Sequence, residues 1–405
     1  MNLSLQLDRA RQLAIHHRTL PAKSLFGIAE QERLGSHLQS TSASPYALVI
    51  RAMHCRHEYE EGAKWWSKLR ATGIVNEEGA FWGMRTLVHA GKVDDALEIL
   101  EAIYSSDKSM HQTTFKLEGF DIRVLPTFIQ HFFYALQNIN RPDLIFIMWD
   151  AMDTLYAVKP NGTLLETLAD AARRALKLDL TLLPIPALVT SSLPTIHARS
   201  DLLARMRLSL AEGRRPSTIR WRGHHPAVVA RQVWRSVIIR NVPSTEYLQC
   251  PIIDTKFHPP ASTERIELVE LVGPHHDFHP TNLTFLNYFH LLACMSLTSE
   301  IPLGLAWMRA SGIQPSMQVL GFAFAYCARA EMLHLPDGYG ETYTSLLQWV
   351  REWLGEEWKL EPGIGYWLLK ARGRGGRNVR DEKPSLLRQQ RRPMPRLPPR
   401  SMRSI

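Results

Sequence analysis

The sequence predicts an all-α fold: a right-handed solenoid of helix-turn-helix repeats followed by a disordered basic C-terminal tail. Three observations carry this. One stretch of the chain aligns on the next without a gap, its apolar positions recur at helical spacing, and the net positive charge is confined to 371–405.

The first repeat pair is Ser44 to Gly73 and Glu78 to Thr113. Leu48, Val49, Ala52, Met53, Ala63, Trp66 and Leu69 fall on Trp82, Gly83, Thr86, Leu87, Leu97, Leu100 and Ile103. Between the two periodic runs of the second copy, Gly91 supplies a residue that tolerates the left-handed conformation ending a helix. Asp94 and Asp95 then sit in the first turn of the next helix, where acids favour its dipole. A third copy begins near Thr127, with Phe132, Ala135, Leu136, Phe146, Trp149 and Met152 in the equivalent columns and Asn140 at the turn. It closes at Val158-Lys159-Pro160-Asn161. A later copy runs from Leu283 to Gly312-Ile313-Gln314-Pro315-Ser316, and both endings place Pro where it stops a helix and a capping residue straight after it. Half-repeats are expected at Thr163 to Arg174 and Val319 to Ala330.

These elements divide the chain into five segments. Residues 1–43 form an N-terminal helical segment or a weak presequence, since Arg9, Arg11, Arg18 and Lys23 face only Asp8 among the first residues. Residues 44–177 are a first helical block. Residues 178–282, holding 11 of the 25 prolines, are an insertion or a run of degenerate repeats; 283–370 are a second helical block and 371–405 the tail.

Composition bounds the function. Of 48 Lys and Arg and 39 Asp and Glu, 11 basic residues and two acids lie in 371–405, so residues 1–370 hold 37 of each sign. A basic surface on the folded body must therefore be local. Cys55, Cys250, Cys294 and Cys327 form neither a CxxC nor a disulfide spacing, which favours a reducing compartment. The longest apolar run, Val319 to Ala328, is well short of the ~18 residues of a membrane span, so no span is expected.

The segments Ala90-Gly91-Lys92-Val93-Asp94-Asp95-Ala96-Leu97-Glu98-Ile99-Leu100 and Met308-Arg309-Ala310-Ser311-Gly312-Ile313-Gln314-Pro315-Ser316 resemble the second helix and the closing segment of pentatricopeptide repeats, of a degenerate fungal or organellar type. Tetratricopeptide repeats share the hairpin and the length, but their closing segment differs from Gly-Ile-x-Pro-polar. The resemblance covers 44–174 and 283–330. It implies single-stranded RNA binding in mitochondria or chloroplasts, the mitochondrion being expected here, in RNA processing, stability or translation, with an organellar ribosome or other proteins as further partners. A cytoplasmic location is the alternative. It also implies that each repeat reads one base through a residue near the start of its first helix and another at the repeat's end. The first positions are Ala47, Phe81, Gln130, Leu286 and Leu320, and the repeat ends are Glu77, Asn161 and Ser316. Gln130 with Asn161 is the one plausible base-reading pair, because only Gln130 of the first set carries an amide. The apolar remainder favours the competing function, a non-enzymatic scaffold of tetratricopeptide type.

Charge and rings suggest further RNA contacts. From Arg199 to Arg240 ten arginines face Asp201 and Glu212. Arg214, Arg215, Arg220 and Arg222 offer phosphate-pairing charge beside Trp221, on which a base could stack, and Arg231 and Arg235 share the face of a helix opposite Val229, Val233 and Val237. The competing expectation is that these arginines pair with acids of adjacent repeats. Arg372, Arg374 and Arg377 begin a tail suited to phosphate or to acidic protein. His275, His276, Asp277 and His279 are residue types that can ligate Zn²⁺, in a Pro-flanked run of no recognised metal spacing, so a metal-dependent hydrolase is the third reading. No nucleophile elbow, phosphate-binding loop or zinc deaminase motif occurs. No cofactor, metal or catalytic residue is expected.

Overall fold

A computed structural model of the chain describes residues 21–35, 45–105, 115–118, 125–178, 199–212, 221–222, 224–252, 279–332 and 341–372. These residues are almost wholly helical: α1 (Ala22–Gly35), α2 (Pro45–Cys55), α3 (Tyr59–Ala71), α4 (Glu77–His89), α5 (Val93–Ser105), α6 (Leu125–Asn138), α7 (Pro142–Tyr156), α8 (Gly162–Leu178), α9 (Arg199–Glu212), α10 (Pro226–Asn241), α11 (Asn282–Cys294), α12 (Ile301–Ala310), α13 (Met317–Met332), α14 (Glu341–Leu354) and α15 (Ile364–Arg372). The all-α expectation holds.

The repeat register survives in three dimensions, since α3 and α5 begin and end at aligned positions of the two copies, Tyr59 on Val93 and Ala71 on Ser105. The turns of four hairpins, α2–α3, α4–α5, α6–α7 and α11–α12, are built the same way. His57, Gly91, Asn140 and Ser296 all have positive φ, at 63°, 75°, 56° and 60°. The amide after each reaches back to a carbonyl at the end of the first helix: Glu58 to Met53 at 2.9 Å, Lys92 to Leu87 at 2.8 Å, Arg141 to Leu136 at 2.9 Å and Leu297 to Leu292 at 2.9 Å. This satisfies carbonyls the helix end would leave unpaired. The first helices start with a matching device. The side chains of Asn76, Asn161 and Ser316 accept from the amides of Gly79, Leu164 and Val319, and Thr281 caps α11 in a capping box.

Within a hairpin α2 packs on α3, α4 on α5 and α6 on α7. Across hairpins α2 packs on α4, α4 on α6, α6 on α8, α8 on α11, α11 on α13 and α13 on α15. The apolar columns of the aligned copies fill these junctions. Met53, Trp66, Leu69, Leu87, Leu97, Leu100, Ile103, Phe132, Leu136, Phe146, Trp149 and Met152 are all buried, Leu100 and Trp149 among them as expected. Gly83 is required by packing: a Cβ there would lie 2.3 Å from the Trp66 ring, so this contact between α3 and α4 needs one large and one minimal residue.

Two features lie outside the periodic pattern. Ile74–Asn76 and Lys116–Glu118 pair as a parallel two-stranded ribbon, with Val75 opposite Leu117 and the α4–α5 hairpin as the crossover. The Pro-rich segment contributes α9, packed on α5 and α7, and α10, packed on α8 and α11. The half-repeat α8, which ends at Leu178, therefore finds a neighbour that starts only at Pro226, and 178–282 supplies two helices that pack on the flanking blocks.

Candidate nucleic-acid interface

Of the arginines that the structure describes in the Pro-rich segment, Arg222 and Arg231 turn inward, while Arg207 and Arg240 are exposed. Trp221 is 3% exposed, stacks on Phe146 with centroids 5.0 Å apart, and donates from Nε1 to Asp150 Oδ2 at 2.9 Å. Arg222 donates to Asp150 Oδ1 from Nε at 3.1 Å and Nη2 at 2.6 Å. This corrects the expectation of a free indole beside free charge, because both groups are consumed on α7. Arg231 is likewise corrected. It is buried, with Nε donating to Glu300 Oε2 at 2.9 Å and Nη2 donating to Oε1. The Tyr288 hydroxyl adds a 3.4 Å bond to Glu300, and the Tyr288 ring lies 3.8 Å from that of Trp234 in a parallel stack. The physical reason is that α10 packs on α8 and on α11, so a face polar in sequence is not a face open to water. Arg235 keeps part of its surface, with Nη1 3.7 Å from Glu300 and its guanidinium 5.6 Å from the Trp307 centroid. Arg207 pairs with Asp94 at 3.2 Å. Arg207, Arg222, Arg231 and Arg235 thus meet acids of other elements. Arg214, Arg215, Arg220, Arg374, Arg377 and the His275–Asp277 run lie outside the described residues, while Arg372 is exposed at the end of α15.

The base-reading pair is not brought together as a pair of free amides. Gln130 is partly exposed on α6 and donates from Nε2 to Tyr134 Oη at 3.2 Å. Asn161 spends its side-chain oxygen as the cap of α8, accepting from Leu164 at 2.9 Å. Ala47, Leu286 and Leu320 are buried between helices. These positions pack in this chain rather than face a ligand.

A different surface combines cations and rings, on the polar sides of α2, α4 and α6. On α4, Phe81, Trp82, Arg85 and His89 are partly exposed and recur at helical spacing, while Ala80, Met84, Leu87 and Val88 on the other side are buried. Trp82 holds two guanidiniums, Arg51 of α2 at 5.4 Å and Arg85 at 5.0 Å from its centroid, and Arg51 and Arg85 are equivalent residues one repeat apart. Arg85 also lies 5.5 Å from Phe81, whose ring meets His131 of α6 at 4.6 Å; His131 in turn meets Tyr134 at 5.9 Å. Arg51 has Glu78 3.6 Å away.

The electrostatics of this surface follow from burial next to an uncompensated cation. His54 of α2 is 8% exposed, with rings of Tyr59, Trp82 and His89 within 5.5 Å and the Thr86 hydroxyl 3.2 Å from its Nδ1. Burial first, then Arg85, His89 and His57, push its pKa down to about 3. Burial and Arg85 also lower His89 and His131. All three imidazoles are thus held neutral at physiological pH, and the positive charge of the patch resides on the two arginines. Arg51, Trp82, Arg85, His89, His131 and Tyr134 are not among the residues that the sequence singles out. Their signal was present as the equivalent repeat positions of Arg51 and Arg85 and as the aromatic-basic stripe 81–89, set opposite the apolar stripe of the same helix.

No protein-family model matches this sequence, and no curated protein matches it. The functional reading is built on the chain's own residues.

Proposed function

We propose that the chain is a solenoid of helical hairpins that binds single-stranded RNA, in mitochondrial RNA processing, stability or translation. The solenoid is supported by the packing of α2, α4, α6, α8, α11, α13 and α15 each on the next, with the second helices of the hairpins set beside them. The observation that carries RNA binding is the two-arginine, one-indole cluster Arg51–Trp82–Arg85, continued by Phe81, His131 and Tyr134 on successive first helices. Partly exposed rings can stack on any base, and guanidiniums pair with phosphate while tolerating every sequence. The face therefore suits strand binding with little base selectivity. The mitochondrial assignment is drawn from the basic N-terminus and the pentatricopeptide resemblance.

Ultraviolet crosslinking of RNA to the protein in cells, followed by sequencing of the recovered strands, tests the reading. Recovery of RNA well above background is expected. Background-level recovery removes the function and leaves the scaffold reading, in which the same face holds a protein segment.

A further inference from the structure

Arg85 is half-buried and has neither a hydrogen bond nor an ion pair to any described residue. Every other arginine discussed above that leaves the surface in this fold meets a carboxylate: Arg141 meets Asp143, Arg222 meets Asp150 and Arg231 meets Glu300. A cation removed from water without a counter-charge is costly, and natural folds keep one where an anion completes it. Among the described residues, the titratable groups coupled to Arg85 and its neighbouring histidines come from α2, α3, α4, α6 and the turn after α2, and none is a carboxylate. They are His54 and Cys55 of α2, His57 in the following turn, Tyr59 of α3, His89 one turn on in α4, and His131 of α6. Phe81 and Trp82 fix the guanidinium from the sides. Glu78 is two helical turns back and engaged near Arg51, while Glu58, Glu60 and Glu61 line an adjoining cleft that shares His57, Tyr59 and His89 with the surroundings of Arg85 but does not have Arg85 as a wall.

We propose that Arg85 is the anchor of a phosphoryl-binding site between α2, α4 and α6. The guanidinium presents its planar donor fork to two oxygens of one phosphoryl group, and neutral His89 and His131 border the site with further N–H donors. A phosphoryl oxyanion matches an Arg with neutral donors better than a second cation or an apolar group does, since only an anion offsets the desolvated charge. The site stands on its own chemistry, whether the phosphoryl group is part of a polynucleotide or of a small molecule. Because Arg85 helps hold His89 and His131 neutral, neutralising it with phosphate raises their affinity for protons.

The test uses the full chain, its Arg85→Gln and its Arg85→Lys variants, and three probes at matched ionic strength: inorganic phosphate, adenosine monophosphate and a single-stranded uridine oligonucleotide. Thermal midpoints by circular dichroism and heats of binding by calorimetry are read for each. Without ligand, Arg85→Gln should melt at or above the parent, because it removes an uncompensated half-buried charge. With ligand, the parent should gain stability and Arg85→Gln should lose about ten- to a hundredfold in affinity, with Arg85→Lys intermediate because it keeps charge but not the fork. Response of the parent to phosphate or the mononucleotide assigns a small-molecule phosphoryl group. Response to the oligonucleotide alone, still lost in Arg85→Gln, assigns the backbone of RNA. If all three proteins respond alike, or if Arg85→Gln is markedly less stable without ligand, the site does not exist and Arg85 is a packing residue. RNA that binds parent and variants equally overturns the site while leaving the RNA reading standing.

Discussion

Acid should destabilise this protein through one buried imidazole, and the effect can be isolated. His54 is 8% exposed, enclosed by rings and next to Arg85, and its pKa falls from 6.5 to about 3. Folding therefore excludes a proton that the unfolded chain takes up. The stabilising contribution is fully present above pH 6.5 and is lost as pH falls towards 3. For a group titrating at 6.5 unfolded and about 3 folded, the loss between pH 7.5 and pH 4 is about 3 kcal/mol, since a tenfold difference in proton affinity is about 1.4 kcal/mol. The perturbation is His54→Gln, which keeps an acceptor for Thr86 but cannot titrate. Urea unfolding of parent and variant at both pH values gives the result directly. His89 and His131 shift in the same direction in both proteins and cancel to first order in the comparison. The parent should lose about 3 kcal/mol more than His54→Gln on acidification. Equal losses would refute the argument that His54 is held neutral by burial beside Arg85.

Other substitutions test packing and charge. Gly83→Ala should cost about 1–3 kcal/mol by thermal or urea unfolding, because its Cβ would press into the Trp66 ring. Arg231→Ala, which takes both guanidinium bonds from buried Glu300 and leaves it Tyr288 and the more distant Arg235, should cost about 2–3 kcal/mol, whereas the apolar pair Arg231→Met with Glu300→Leu should fall within a few kcal/mol of the parent or above it; an unchanged single variant would show the pair to be solvated. Deleting the basic tail should begin after Arg372, since Ala371 is buried in α15 against α13. If about half of the ten remaining basic residues touch phosphates, removal flattens the slope of log affinity for single-stranded RNA against log salt by about 3–4; an unchanged slope takes the tail off RNA.

The hairpins were legible because their determinants are local. Helical spacing, Gly91 and Asn140 at the turns and the Pro-polar closings each act within a short stretch of chain, and each reappears in the folded protein. The parallel ribbon was not, because Ile74–Asn76 and Lys116–Glu118 are too short to show a period and pair across a whole intervening hairpin. The fate of the arginine segment was also hidden. Arg231 and Arg235 stand on the side of α10 away from Val229 and Val233, and only the arrival of Glu300, 69 residues from Arg231, makes that side an interior for a guanidinium. The same long-range packing buries Ala47, Leu286 and Leu320, whose places in a repeat would otherwise suggest contact with a ligand. Conversely, Arg51 and Arg85 look like ordinary surface charges until the repeat offset sets them beside one indole. Short-range chemistry thus specified the elements, while the identity of the open faces depended on which elements met.

Single-stranded RNA should lie on the α2–α4–α6 face and not on the arginine segment. Photocrosslinking of purified full-length protein to a single-stranded RNA, with the modified peptides identified by mass spectrometry, tests this central claim most directly. Crosslinks are expected at Phe81, Trp82 or Tyr134, lost when Arg51 and Arg85 are both changed to Gln, and none at Trp221, which is buried against Phe146. Crosslinks concentrated at Trp221 or Trp234, with the 81–134 face unmodified, would contradict it.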